Sequence, residues 1–114
     1  MSECIFCKIA SKEIPANIVY EDDLVIAFHD IEPAAPTHVI VIPKEHIESL
    51  NNVLDIHKEL LGHIHLCISK IAKKLEISKE GFRVVNNCGE LGGQTVNHIH
   101  FHLLGGKQMN WPAG

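Results

Sequence analysis

Residues 98 to 106 read HIHFHLLGG, with imidazoles at every second position and Ile99, Phe101 and Leu103 interleaved. Side chains of an extended strand alternate faces with a period of two. A strand therefore puts His98, His100 and His102 on one face and the large apolar residues on the other. A helix would scatter the three rings around its axis. One metal ion shared by all three is a poor use of the row. Same-face neighbours are ~6.6–6.8 Å apart at Cα and the outer pair ~13 Å, whereas each ligand nitrogen must come within ~2.1 Å of a zinc ion. A polar face that carries histidine by chance is disfavoured by three at strict alternation. The row reads as a catalytic or anion-binding one, with different work for each ring.

Gly92-Gly93-Gln94-Thr95 stands directly before it. Two glycines let a backbone approach a ligand, and successive N–H groups can form an anion-binding nest. Gln94 and Thr95 add side-chain donors. Donors beside imidazoles point to phosphate chemistry. Thr37 and His38 head a strand after a proline loop, and His29 and Asp30 close the strand before it. Asp30 is placed either to cap that turn or to accept hydrogen bonds from the two hydroxyls of a ribose. Cys4 and Cys7 form a CxxC pair, half of a tetrahedral zinc site. No second CxxC exists, so the available partners are histidines: His46, after Pro43, and one ring of the row, the first being best placed. Two buried thiols are the plain alternative.

The elements that must carry these residues are legible in outline. Segments 17–22, 24–30 and 37–43 read as strands, with a proline loop between the second and third. A short helical turn is expected over 4–10 and another within 44–52. The long helix runs from about Asp55, as its cap, to Leu75. Leu60, Leu61, Ile64, Ile68, Ile71, Ala72 and Leu75 form its apolar stripe. His57 reads as a packing residue, His63 and His65 as half-exposed flanks, and Cys67 as an inert buried thiol. Segment 81–87 is the fourth strand and the histidine segment the fifth. The order strand, strand, strand, helix, strand, strand predicts an α+β domain, an antiparallel five-stranded sheet with one long helix and short helices. The second sheet face needs a further cover, either solvent or a partner.

The whole chain sets bounds. Its 114 residues, 46% hydrophobic and 21% charged, fit one globular domain over residues 1–114. A net charge of −4 with no basic run speaks against a nucleic-acid partner. No apolar stretch reaches the ~18 residues of a membrane span, and the N-terminus lacks a signal-peptide pattern. A cytoplasmic location is expected, with Cys4, Cys7, Cys67 and Cys88 as thiols or metal ligands.

These blocks resemble the histidine triad (HIT) family. HIHFHLL matches its His-φ-His-φ-His-φ-φ signature in full. CIFCKI, IPANIVYED, AFHDIEPAAPTHVIVIPKEHI, VVNN, GGQTVNHIHFHLLGG and QMNWPAG extend the likeness over nearly the whole chain. The branch most similar is that of the histidine triad nucleotide-binding proteins, purine nucleoside phosphoramidases. The resemblance implies cleavage of purine nucleoside monophosphate derivatives at the α-phosphorus, often of a P–N bond, through a covalent nucleotidyl-histidine. It implies His100 as nucleophile, His102 on the α-phosphate, and His98 supporting the row by hydrogen bonds. Gly93, Gln94 and Thr95 would face phosphate and leaving group. Asp30 would hold the ribose, Phe28, His29 and Ile31 would lie against base and sugar, and Asn86 beside the nucleotide. His38 would back the triad. It further implies a homodimer with sheets joined edge to edge and tails, with Trp111, crossing to the partner's site. Structural zinc on Cys4, Cys7, His46 and His98 follows from related bacterial proteins, with no cofactor needed for catalysis. A neighbouring branch cleaves dinucleoside polyphosphates with the same triad. A non-catalytic nucleotide-binding zinc module is the remaining alternative.

Overall fold

The computed structural model describes residues 3–114. Five strands form one antiparallel sheet: β1 (Ile18–Glu21), β2 (Val25–His29), β3 (Thr37–Pro43), β4 (Phe82–Val85) and β5 (Phe101–Gly105). Their spatial order is β1-β2-β3-β5-β4, so the last strand of the chain is inserted beside the third. Two helices complete the fold, α1 (Ile5–Ala10) and α2 (Lys58–Lys74).

The two central strands explain why the sheet is covered on both faces. VIAFH of β2 and THVIVIP of β3 are buried almost throughout rather than on alternate residues, the pattern of a strand packed on both sides. Val25, Ala27, Val39, Val41, Phe101 and Leu103 face α2 and pack on Ile64, Cys67, Ile68 and Ile71. Ile26, Phe28, Ile40 and Ile42 face the other way, against Phe6 and Ile9 of α1. The cover expected from solvent or a partner is therefore supplied by the chain's own N-terminal helix.

Three local expectations are corrected. Within 44–52 only a single 3-10 turn forms, over Leu50–Asn52, with Ser49 Oγ accepting from the Asn51 N–H at 3.1 Å. The rest of that segment is irregular, and this freedom carries His46 toward the cysteines. Asp55 does not cap the long helix. A 3-10 turn over Asp55–His57 precedes α2, and His57 Nδ1 accepts from the Leu54 N–H at 2.9 Å. His57 Nε2 must then hold the proton, which it donates to Glu45 at 3.1 Å. This buried ring is thus satisfied at both nitrogens rather than merely packed. Third, ladder pairing of the histidine segment starts only at Phe101. The Ile99 N–H goes to Ile47 O at 2.6 Å, and the opposing strand ends at Pro43, which has no N–H to offer. The side-chain alternation survives without the ladder: Ile99 joins the α2-side core, while the His98 and His100 rings both lie edge-on to Phe6 on the α1 side.

Candidate active site

The α1 side of the sheet carries a cleft of about 340 Å³, within the range of small-molecule sites. His100, His102, Thr95, Phe28, Asp30 and Ile31 are among its lining residues. Strands β2, β3 and β5 bring these positions together. Register places Ile40 opposite His102 and Val39 opposite His29.

Hydrogen-bond partners fix the tautomer of each triad ring. His100 Nδ1 lies 2.8 Å from the His98 carbonyl. A carbonyl only accepts, so Nδ1 carries the proton and Nε2 keeps its lone pair. Asn86 Nδ2 donates to the His100 carbonyl at 2.9 Å and holds that backbone. His102 has the opposite assignment. The Ala34 N–H donates to His38 Nδ1 at 2.9 Å, so His38 holds its proton on Nε2. That Nε2–H donates to His102 Nδ1 at 2.8 Å. His102 is left with an N–H on Nε2. The cleft therefore has a bare ring nitrogen on His100 beside a ring N–H on His102, their centroids 5.1 Å apart.

The His102 and His38 rings are neutral at neutral pH. Burial, helped by the neighbouring His100 and His38, pushes His102 down to about 4, against a smaller opposing pull from Asp30. Burial likewise pushes His38 below the usual imidazole range, with Asp30 opposing. The Asp30 carboxylate approaches His38 Nε2 at 3.4 Å, and its other oxygen accepts from the Glu32 N–H at 2.7 Å. Asp30 therefore caps the turn after β2 while standing in the cleft wall. Phe28 is buried beneath it and Ile31 is exposed at the lip.

The glycine loop is organised for shape. Gly93 N–H and Gln94 N–H close the turn on Glu90 O and Gly89 O. A Cβ on Gly92 would lie 2.3 Å from the Cys88 carbonyl, and Gly93 has φ +83°. The Gln94 amide is committed on both ends, donating to Glu48 O and Val96 O and accepting from the Gly89 N–H. Gly93 and Gln94 thus hold the loop, and Thr95 is the loop residue among them that reaches the cleft wall. Trp111 lies on the tail, 84% exposed and away from this cleft, where Arg83 donates to Asn110 O at 2.6 Å.

A second cluster adjoins the triad. One turn of α1 puts Cys4 and Cys7 on the same side, and His98 faces them. His98 Nδ1 is 3.4 Å from Cys4 Sγ, 3.5 Å from Cys7 Sγ and 3.2 Å from His46 Nδ1, and Cys7 Sγ is 3.2 Å from His46 Nδ1. His98 Nε2 donates to Pro43 O at 2.8 Å, so its Nδ1 is bare and turned to the sulfurs. Tetrahedral zinc with these donors needs ligand–ligand spacings of ~3.3–3.8 Å. The four residues fit a zinc ion with little movement. His98 is fully buried and links the two clusters, one ring in the thiol site and one carbonyl under His100.

Sequence reasoning passed over two participants. Phe6 packs against His98 and His100, and its signal was an aromatic residue inside the CxxC. Asn86, expected beside the nucleotide, donates to the His100 backbone. The Ala34 N–H sets the His38 tautomer, and no side chain announces a backbone donor.

Relatives agree with this architecture. The HIT domain family model matches residues 11–109. The crystal structure of a HIT family hydrolase from Legionella pneumophila superposes with a TM-score of 0.97 at 52% identity, covering 98% of this chain and 100% of that one. The histidine triad nucleotide-binding protein from Candida albicans gives 0.81 at 36% identity, over 98% and 85%. A 14 kDa zinc-binding protein from Zea mays is 50% identical over 115 residues, 99% of this chain and 89% of its own. With triad, loop and sheet order in place and this likeness spanning nearly all of its length, the chain belongs to the HIT family.

Proposed function

We propose that this protein is a purine nucleotide hydrolase that cleaves nucleoside 5′-phosphoramidates at the α-phosphorus through a nucleotidyl-His100 intermediate. The observation that carries the reading is the tautomer pair: an unprotonated His100 Nε2 beside a neutral His102 Nε2–H in a nucleotide-sized cleft. A neutral imidazole is a competent nucleophile without metal or prior deprotonation. His100 Nε2 forms a bond to phosphorus, the P–N bond breaks, and the amine leaves with a proton taken up from solvent, which the attacking water later returns. The ring becomes cationic, and the His98 carbonyl on Nδ1–H stabilises that charge. His102 Nε2–H and the Thr95 hydroxyl stabilise the phosphoryl oxygens. Water then attacks phosphorus, loses a proton, and releases the nucleoside monophosphate with His100 restored. Asp30 would hold the ribose hydroxyls, with Phe28, His29 and Ile31 against sugar and base, a reading supported by their place in the cleft wall. Gly93, Gln94 and Asn86 hold the loop and the His100 backbone in position.

Cys4, Cys7, His46 and His98 would hold structural zinc, supported by their mutual spacing and thiol–imidazole chemistry. The ion would cross-link α1, the irregular 44–49 segment and the first triad residue, and the chemistry itself needs no cofactor. A homodimer is supported by the free side of edge strand β4, where Phe82 and Val84 are over a third exposed. That joint would bring the exposed tail with Trp111 toward a second copy.

Incubation with adenosine and guanosine 5′-phosphoramidates tests the reading. Turnover is expected in the wild type and in Cys4→Ala and is expected to vanish in His100→Ala. A quenched reaction should show a nucleotidyl adduct on His100 by mass spectrometry. Binding without turnover would leave a nucleotide-binding module. Faster cleavage of a dinucleoside polyphosphate than of either phosphoramidate would move the substrate to a P–O–P bond.

A further inference from the structure

A second Cys/His/Asp cluster lies on the opposite side of the sheet, where the proposed reaction does not use it. His63 and Cys67 are four apart on α2 and share one helix face. Asp22, from the β1–β2 turn, meets them. His63 Nε2 is 2.7 Å from Asp22 Oδ2 and 3.5 Å from Cys67 Sγ, and Cys67 Sγ is 3.7 Å from Asp22 Oδ2. Tyr20 donates to the same oxygen at 2.7 Å, while Leu24 N–H and Val25 N–H donate to Asp22 Oδ1.

The geometry is that of a converging donor set, not of a nucleophilic relay. A Cys-His-Asp relay needs the carboxylate on one ring nitrogen and the sulfur on the other. Here both address Nε2. An ion pair between Asp22 and His63 accounts for the carboxylate but gives the cysteine no part. Three ligand atoms aimed at one point account for all three. Zinc bound by sulfur, nitrogen and oxygen sets the S···N and S···O spacings at ~3.5 Å, against 3.5 and 3.7 Å here. The N···O contact would open by roughly 0.6 Å as its hydrogen bond gives way to coordination. Tyr20 and the two backbone donors already fix the carboxylate, as outer partners do around ligating groups. Cys67 is buried, while the His63 and Asp22 side chains are 33% and 26% exposed, which leaves a path for the ion from solvent.

We propose that Asp22, His63 and Cys67 form a second metal site, for zinc or another thiophilic divalent cation, separate from the Cys4/Cys7/His46/His98 cluster and open at its fourth position. Binding displaces the Cys67 thiol proton to solvent and moves the His63 ring proton to Nδ1. The resulting thiolate and carboxylate balance the charge of the ion. Lys70 is the nearby cation and limits affinity. The ion would tie α2 to the β1–β2 turn. This inference stands independently of the hydrolase reading.

Full-length metal-free protein is titrated with Co²⁺, then Zn²⁺, following the thiolate-to-cobalt band and the bound stoichiometry. The wild type is expected to take two equivalents, the second with one thiolate. Cys67→Ser and His63→Gln should each take one, with the first site's spectrum intact. His63→Gln alters a partly exposed position, so it carries the test should Cys67→Ser fail to fold. In a Cys4→Ser/Cys7→Ser variant one equivalent should remain and disappear on adding His63→Gln. Saturation of the wild type at one equivalent that disappears in the Cys4→Ser/Cys7→Ser variant overturns the proposal. So does a second equivalent that persists in His63→Gln, which would place it elsewhere, as on Asp30, His38 and His102.

Discussion

Replacing His38 tests the tautomer argument at its origin. Its ring is 6% exposed and passes orientation from the Ala34 N–H to His102. His38→Leu keeps bulk but strands both the Ala34 N–H and His102 Nδ1. An unsatisfied buried polar group costs about 1–3 kcal/mol, so the pair predicts a loss of roughly 2–4 kcal/mol, since His102 regains part of its bonding by turning. Catalysis should suffer separately. Without its donor, His102 is free to carry the proton on Nδ1 and present a lone pair to the phosphoryl oxygens. Losing one such donor costs about 10²–10³ in kcat. His38→Gln retains an amide with one donor and one acceptor, and should recover most of the rate. Urea denaturation and single-turnover phosphoramidate cleavage read the two effects. A folded His38→Leu protein with wild-type kcat would refute the reasoning, as would equal loss in the leucine and glutamine variants.

His102 also sets an acid dependence. Its folded value, about 4, lies below the ordinary value near 6.5. The unfolded chain therefore binds more protons between those limits, and the ring's contribution to stability is present above about pH 6.5 and lost as pH falls toward 4. His102→Gln should flatten that part of the urea midpoint profile, and an unchanged slope would contradict the assignment. Gly92→Ala drives a Cβ into the Cys88 carbonyl and should lower kcat/KM by displacing Thr95. Gly62→Ala on α2 meets nothing within 4 Å and should raise stability by about 1 kcal/mol; denaturation of both variants checks the pair. Zinc removal from the Cys4/Cys7 cluster should lower Tm while changing kcat less than tenfold. Val84→Arg on the β4 edge should convert a dimer to monomer in light scattering if that edge is the joint.

The sheet, the long helix and the triad were legible because apolar periodicity is written into consecutive residues, as in Val39–Ile42 or Ile64–Ala72. The candidate partners of the CxxC were legible because no second CxxC exists, which left histidines, and the structure brings His46 and His98 to it. What escaped depends on contacts across the chain. Asp55 looked like a cap, yet a histidine two residues later took that work through its ring. Cys67 is buried as its stripe position predicts, but its contact with Asp22, 45 positions away, is not visible in that position. The loop amides looked free for an anion, yet the carbonyls of Glu90 and Gly89 claim those of Gly93 and Gln94, as a local sequence cannot tell.

The placement of β5 has a consequence for assembly. Among the described residues β4 hydrogen-bonds to no strand but β5, and β5 reaches β3 across 62 positions at Ile40 and His102, 102 less 40. A nascent chain that has not yet reached His100 would therefore possess neither a joined sheet nor a complete row of rings. Such late, non-local closure is slow, and until it happens the hydrophobic margins of β3 and β4 stand open to other chains. Synthesis through β5 is the step that first makes this centre possible.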